Sequence, residues 1–101
     1  KHQMHSNKYK TDIPLNKESK QMLPGNANGQ RGQYSADVIA DKPLDFIRRN
    51  QAKQFFLYFT PTLPHAKFEV PDTAPYTGRD WTATEKIYAA MVTRADDQTS
   101  L

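Results

Sequence analysis

The chain contains no cysteine. That excludes a disulfide scaffold, a thiolate zinc site and a cysteine nucleophile within these residues, and it leaves the redox compartment open. Apolar residues are also scarce, at 37% of 101 against about 45–50% in ordinary globular chains. A large self-sufficient core is therefore not expected. No apolar run approaches the roughly 20 residues that a membrane-spanning helix requires. No charged-then-apolar leader opens the sequence, and residue 1 is Lys. The length allows one small domain, short for a site assembled from several loops, and the chain reads as an excised piece or mature fragment whose ends say nothing about targeting. Glycine-rich phosphate loops, metalloprotease helices and nucleophile elbows are absent, as are repeats and low-complexity tracts.

Charge is present but unevenly placed. Residues 1–33 carry six basic and two acidic residues, a net of +4. Residues 34–101 carry eight basic and nine acidic, a net of −1. A nucleic-acid surface would interleave its cations with aromatics. The first segment has a single aromatic, Tyr9, among scattered lysines. It reads as a solvated, irregular basic arm, and neither nucleic acid nor a membrane is indicated as a partner. Turn signals crowd its second half: Pro24-Gly25-Asn26, Asn28-Gly29 and Gly32. A short extended stretch is open to Ile13–Leu15.

From Tyr34 onward the pattern changes. Val38, Ile39, Leu44, Phe46 and Ile47 suit one helix face, and Arg48 and Arg49 suit a helix C-terminus. Pro43 offers no donor to the carbonyl four residues back. One arrangement starts the helix after Asp41, with Pro43 in its first turn, and predicts a helix over about 41–50. The other is a longer helix from about Ala36 that kinks at Pro43. Phe55-Phe56-Leu57-Tyr58-Phe59 has strand length and no alternation, which predicts a strand over about 55–60 buried on both faces, as in a parallel sheet. Such a strand needs a neighbour on each side, and no other segment supplies one. Residues 60–80 form a proline-rich loop with Pro61, Pro64, Pro71 and Pro75. Thr82 and Glu85 have capping-box spacing ahead of Ile87, Ala90, Met91 and Ala95, which predicts a core-packed helix over about 83–96.

Few residues invite chemistry. His65 follows the apolar run by a few residues, between Pro64 and Ala66, and ligands gather at the carboxyl ends of strands in open α/β sheets. Imidazole donates or accepts a proton near neutral pH. The more ordinary role for such a residue is a loop histidine bonded to a neighbouring carbonyl. Lys67 adds positive charge two residues on, or is simply solvated. His2 and His5 lie three apart with no third ligand at helical spacing. Asp96 and Asp97 are adjacent, so on a helix they diverge.

A longer pattern then emerges. Tyr34-Ser35-Ala36-Asp37, Asp41, Leu44-Asp45-Phe46-Ile47-Arg48-Arg49-Asn50, Phe55 to Phe59 and Leu63-Pro64-His65-Ala66 together resemble the middle of bacterial arylsulfatases. So do Val70-Pro71-Asp72, Tyr76, Asp80-Trp81 and the run from Glu85 to Arg94, and Pro24-Gly25-Asn26 and Arg31-Gly32-Gln33-Tyr34 look like the linker before them. The resemblance spans about residues 24–97. It implies an α/β, alkaline-phosphatase-like fold in which 34–101 is a central piece of the catalytic domain and 1–33 an arm. It implies sulfate-ester hydrolysis by the longer protein, with a formylglycine nucleophile and calcium or another divalent cation held by oxygen ligands. By position, His65 is similar to the family histidine that contacts sulfate, with Lys67 beside it as a second substrate-binding candidate. Periplasmic or secreted location follows from the same resemblance. The Cys/Ser-x-Pro-x-Arg motif, the paired Asp ligands and the Asp-Asn-Gly segment of the family are not in these residues, so no cofactor is expected on this segment and it should be inactive alone. Lys67 and Pro43 also depart from the family pattern. The other reading is a non-catalytic module that associates, with itself or a partner chain, through the apolar strand at 55–59.

Overall fold

The structure, a computed structural model, describes residues 8–15 and 19–100. It is a small mixed α/β arrangement of a two-stranded antiparallel sheet and two helices. Strand β1 is Asp12–Pro14 and β2 is Lys20–Met22, in the register Asp12 to Met22, Ile13 to Gln21 and Pro14 to Lys20. Helix α1 is Ser35–Asn50 and α2 is Ala83–Thr99. The candidate metal pair His2 and His5 lies outside the described residues.

The described part of the arm, expected to be irregular and solvated, is built into the fold. Ile13 and Leu23 are buried, and apolar side chains removed from water supply the driving force for that packing. Asn26 explains how the turns that follow are held. Its amide donates to the Lys10 and Gln33 carbonyls, each at 2.7 Å, and its oxygen accepts the Gln33 N–H at 2.7 Å. A buried amide is tolerated when its groups are satisfied in this way. Gly25 and Gly32 close the same turn: the Gly32 N–H donates to the Gly25 carbonyl at 3.0 Å. A Cβ on Gly32 would lie 2.9 Å from Gly25 backbone atoms, and Gly25 itself has φ +85°. Both positions require glycine on steric grounds.

Helix α1 is the longer of the two alternatives, running through Pro43 rather than starting beside it. Pro43 removes one helical hydrogen bond, and tertiary contacts at the first turns outweigh that loss. The Ser35 N–H and hydroxyl donate to the Lys8 carbonyl at 2.9 and 2.6 Å. Asp37 accepts a two-pronged pair of bonds from Arg94 of α2, at 2.7 and 2.6 Å, and a third from Gln98 at 2.8 Å. Paired guanidinium–carboxylate bonds are among the stronger side-chain contacts. At the far end, Arg49 meets Asp45 one turn back at 2.9 Å.

Helix α2 follows the predicted cap and stripe, extending a few residues beyond 96. Ala90 and Met91 are buried, and Met91 lies at the centre of the core with Tyr34, Ala36 and Leu63. Ile87, Ala95, Val70 and Tyr9 pack around that cluster.

The predicted strand at 55–60 is not a strand. Residues 54–60 belong to no helix or sheet, and Phe56 and Tyr58 are 87% and 81% exposed. A strand exists through its ladder. The only ladder among the described residues joins β1 to β2, so an apolar run of strand composition has nothing to pair with.

Two outcomes follow for stability. Met91→Ala removes the most enclosed core side chain and should cost about 2–5 kcal/mol in urea unfolding. Val92→Ala, on the exposed side of the same helix, should change stability by less than about 0.5 kcal/mol. The second outcome concerns the cap. Glu85 accepts the Thr82 N–H at 2.7 Å and the Thr82 hydroxyl at 2.9 Å, and its own N–H donates to that hydroxyl oxygen at 3.2 Å. The bond from the Thr82 backbone, then that from its side chain, hold the Glu85 carboxyl below its ordinary 4.5. The group therefore stabilises fully above the unfolded value, and the contribution disappears as pH falls through the lower folded one. Acid titration followed by α2 amide signals should show fraying at 83–86 below pH 4.5, and Glu85→Gln should flatten that part of the profile.

Candidate functional site

The proline-rich stretch between the aromatic segment and α2 makes a stiff, looped surface. Proline fixes φ and has no N–H, so few backbone bonds are available to shape Thr60-Pro61-Thr62-Leu63-Pro64-His65. One is made: the His65 N–H donates to the Thr62 carbonyl at 3.0 Å. Leu63 turns inward and is buried in the core beside Met91. These six residues line an open depression of about 470 Å³.

The arm braces this loop from the other side. The Lys8 ammonium donates to the Thr62 carbonyl at 3.3 Å. The Lys8 N–H donates to the Glu69 carboxylate at 3.1 Å. Glu69 also faces Arg31 and Lys67, each at 3.8 Å. Tyr34 donates its hydroxyl to the Glu69 carbonyl at 2.5 Å. The loop is thus fixed at Thr62, Leu63 and Glu69 by groups from the arm, by Tyr34 just ahead of α1 and by the core. Burial is the main cause of the charge and proton shifts here. It pushes the Lys8 ammonium below its ordinary value, Lys10 adds to that effect, and Glu69 opposes both. Burial also raises the Tyr34 hydroxyl well above its ordinary range, with Arg94 pulling the other way. Tyr34 therefore stays a hydrogen-bond donor throughout the physiological range.

His65 stands at the rim of the depression with its ring exposed. Its Nδ1 lies 2.5 Å from the Ala66 carbonyl. A carbonyl can only accept, so this contact places a proton on Nδ1. Nε2 is then the nitrogen that accepts when the ring is neutral and donates when it is charged. The neighbouring-carbonyl contact and an exposed ring coexist, so the ordinary loop role and a chemical one do not exclude each other. Lys67 shares the loop but not the depression: its ammonium faces Glu69. Asp96 and Asp97 are both exposed on α2. Among the described residues, no three His, Asp or Glu side chains converge on a point that could hold a metal ion.

Glu69 and Lys8 escaped the sequence reading. They are 61 residues apart, and neither stands in a motif; only the folded arm brings them together. No family model, no curated protein and no solved structure matches the chain. No helix among the described residues is long and apolar enough to cross a membrane.

The brace makes a measurable difference. Glu69→Ala leaves a buried backbone N–H and two cations without their acceptor. It should cost about 1–3 kcal/mol in urea unfolding and shift the His65 ring resonances. Arg49→Ala, which breaks an exposed pair of shorter distance, should cost no more than about 0.5 kcal/mol and leave those resonances unchanged.

Proposed function

We propose that these residues are an internal segment of a bacterial arylsulfatase-type enzyme, a sulfuric ester hydrolase of the alkaline-phosphatase-like superfamily, and that the segment supplies one active-site histidine, His65. The observation that carries the reading is the braced loop: an exposed imidazole held at the rim of an open depression, a few residues past the aromatic run, in the order that the resemblance to arylsulfatases implies. The unpaired aromatic run fits the same reading, because an apolar segment of this kind belongs between two other strands.

In that role His65 acts on the sulfate group. Charged, it donates from the ring to a sulfate oxygen and offsets the negative charge that builds as the ester bond lengthens. It is also suited to hand its proton to the departing alcohol oxygen. Lys67 contributes positive potential near the anion, partly balanced by Glu69. The nucleophile and the divalent cation come from elsewhere in the longer protein, since neither the motif for formylglycine nor the Asp ligand segments that the resemblance implies are in this sequence. Such a protein is proposed to work in the periplasm or outside the cell.

The test uses the polypeptide that contains this segment, with 4-nitrophenyl sulfate as substrate. His65→Ala should lower kcat by about 10²–10⁴-fold while leaving the unfolding midpoint unchanged, because the ring is exposed. Lys67→Ala should raise KM with a smaller effect on kcat. The isolated 101-residue chain should show no turnover. Metal-dependent hydrolysis by the isolated chain, or an unchanged kcat for His65→Ala, would overturn the assignment.

A further inference from the structure

A small enclosed cavity of about 70 Å³ lies where the arm, α1 and the histidine loop meet, lined by Lys8, Lys10 and Ile13 of the arm, Ser35 and Ile39 of α1, and Thr62. A water takes about 30 Å³, so the space suits a group of about two water volumes. Lys8 is 1% exposed. An ammonium has three donors to place. One of them reaches the Thr62 carbonyl at 3.3 Å, an acceptor already taken by the His65 N–H at 3.0 Å. Among the described residues no other acceptor meets the Lys8 ammonium, and neither it nor the Lys10 ammonium has a carboxylate oxygen within 4.0 Å. The two acids whose fields reach these lysines are engaged elsewhere. Glu69 takes the Lys8 main-chain N–H and faces Arg31 and Lys67, and Asp12 faces Lys20 at 3.7 Å. Ser35 opens α1, so the positive end of that helix borders the same space. A buried cation without a counter-charge is costly.

We propose that this cavity binds a small monovalent anion of chloride size, held by the Lys8 and Lys10 side chains at the start of α1. Charge selects an anion over water. Water can satisfy the free donors but brings no counter-charge, whereas the wall carries two cations, the positive end of a helix and no carboxylate. Burial pushes both ammonium groups below their ordinary 10.5, and at Lys8 the Lys10 charge adds to the effect. An anion beside both favours their charged forms and so opposes that push. Size selects the class: the space suits chloride and shuts out a sulfate ester or any larger carboxylate. Bound there, the anion ties the arm to the histidine loop, because Lys8 touches Thr62 through its ammonium and Glu69 through its N–H. The site shares only Thr62 with the open depression at His65. It does not rest on the sulfatase reading, and its failure would leave the hydrolysis assay untouched.

The test is thermal unfolding of the 101-residue chain in sodium gluconate and in sodium chloride at one ionic strength, about 200 mM, so that screening is equal. Gluconate is too large for the cavity and serves as the blank. Changing gluconate for chloride should raise Tm by about 4–8 °C, the gain from a ligand at a few times its Kd. Lys8→Met replaces the buried charge with an apolar chain. Its Tm in gluconate should equal or exceed that of the parent, and chloride should no longer raise it. Lys20→Met makes the same change in net charge on an exposed side chain and should keep the full response. Lys10→Met leaves every Lys8 contact in place and should reduce the rise, which covers the case in which Lys8→Met fails to fold. Chloride-35 resonance width gives a readout without variants: the folded parent should broaden the line, and unfolding in urea should remove the excess. Equal melting in the two salts, the result for a cavity that holds only water, overturns the site. So does a chloride response of one size in Lys8→Met, Lys10→Met and Lys20→Met, which is general salt action, or a line width that unfolding leaves unchanged.

Discussion

Tyr34 is the contact on which the rest of the structure depends. It precedes α1, and its ring is 5% exposed in the core with Leu63 and Met91. Tyr9 of the arm tilts against it at 5.4 Å, and the Arg94 guanidinium of α2 lies over it at 5.2 Å. Its hydroxyl reaches the Glu69 carbonyl. One side chain therefore touches the arm, the second helix and the end of the histidine loop. A phenol suits this position because it combines a large apolar body with one directed donor. Burial keeps that donor protonated, so the link does not titrate in the neutral range. The cation above the ring is itself paired with Asp37, which joins the aromatic cluster to the first turn of α1.

Around this cluster, polar groups set the geometry more than apolar area does. With an apolar fraction of 37%, the chain has few residues with which to build a wide core, and the buried set is correspondingly small. Asn26, Ser35 and Lys8 are enclosed with their backbone and side-chain partners. Each is a group whose burial costs free energy unless its bonds are made. Their placement is specific for that reason: a shifted arm would leave an amide or an ammonium without an acceptor. The same specificity carries to the loop, where the Thr62 carbonyl and the Glu69 carboxylate are both met by Lys8.

What the sequence made legible was local. The Thr82 and Glu85 spacing, the stripe of Ile87, Ala90, Met91 and Ala95, and the glycine-marked turns at 24–32 are all settled within a few residues, and the fold follows them. Pro43 misled because its penalty is local whereas the bonds that overcome it, from Lys8 and Arg94, come from 35 and 51 residues away. The arm misled in the same way, since scattered polar residues hide the long-range role of Asn26 and Lys8. In the candidate site, His65 could be singled out from its setting between proline and the apolar run. The brace beneath it could not, because no periodicity links Lys8 to Glu69.

The aromatic run shows the same division from the other side. Its composition specifies a strand, but a strand is a relation between segments, and the described part of this chain supplies no partner. The segment still shows alternating exposure over 56–59, and Phe55 meets Phe46 of α1. One ring contact to α1 holds it, and no ladder joins it among the described residues. The loop that follows does not need that ladder, because Leu63 enters the core and Lys8 and Tyr34 hold its two ends. The imidazole of His65 is thus placed by contacts independent of whatever pairs with 54–60. In the proposed enzyme, sheet and histidine loop would meet as separately stabilised parts, the sheet contributing position and the arm contributing rigidity.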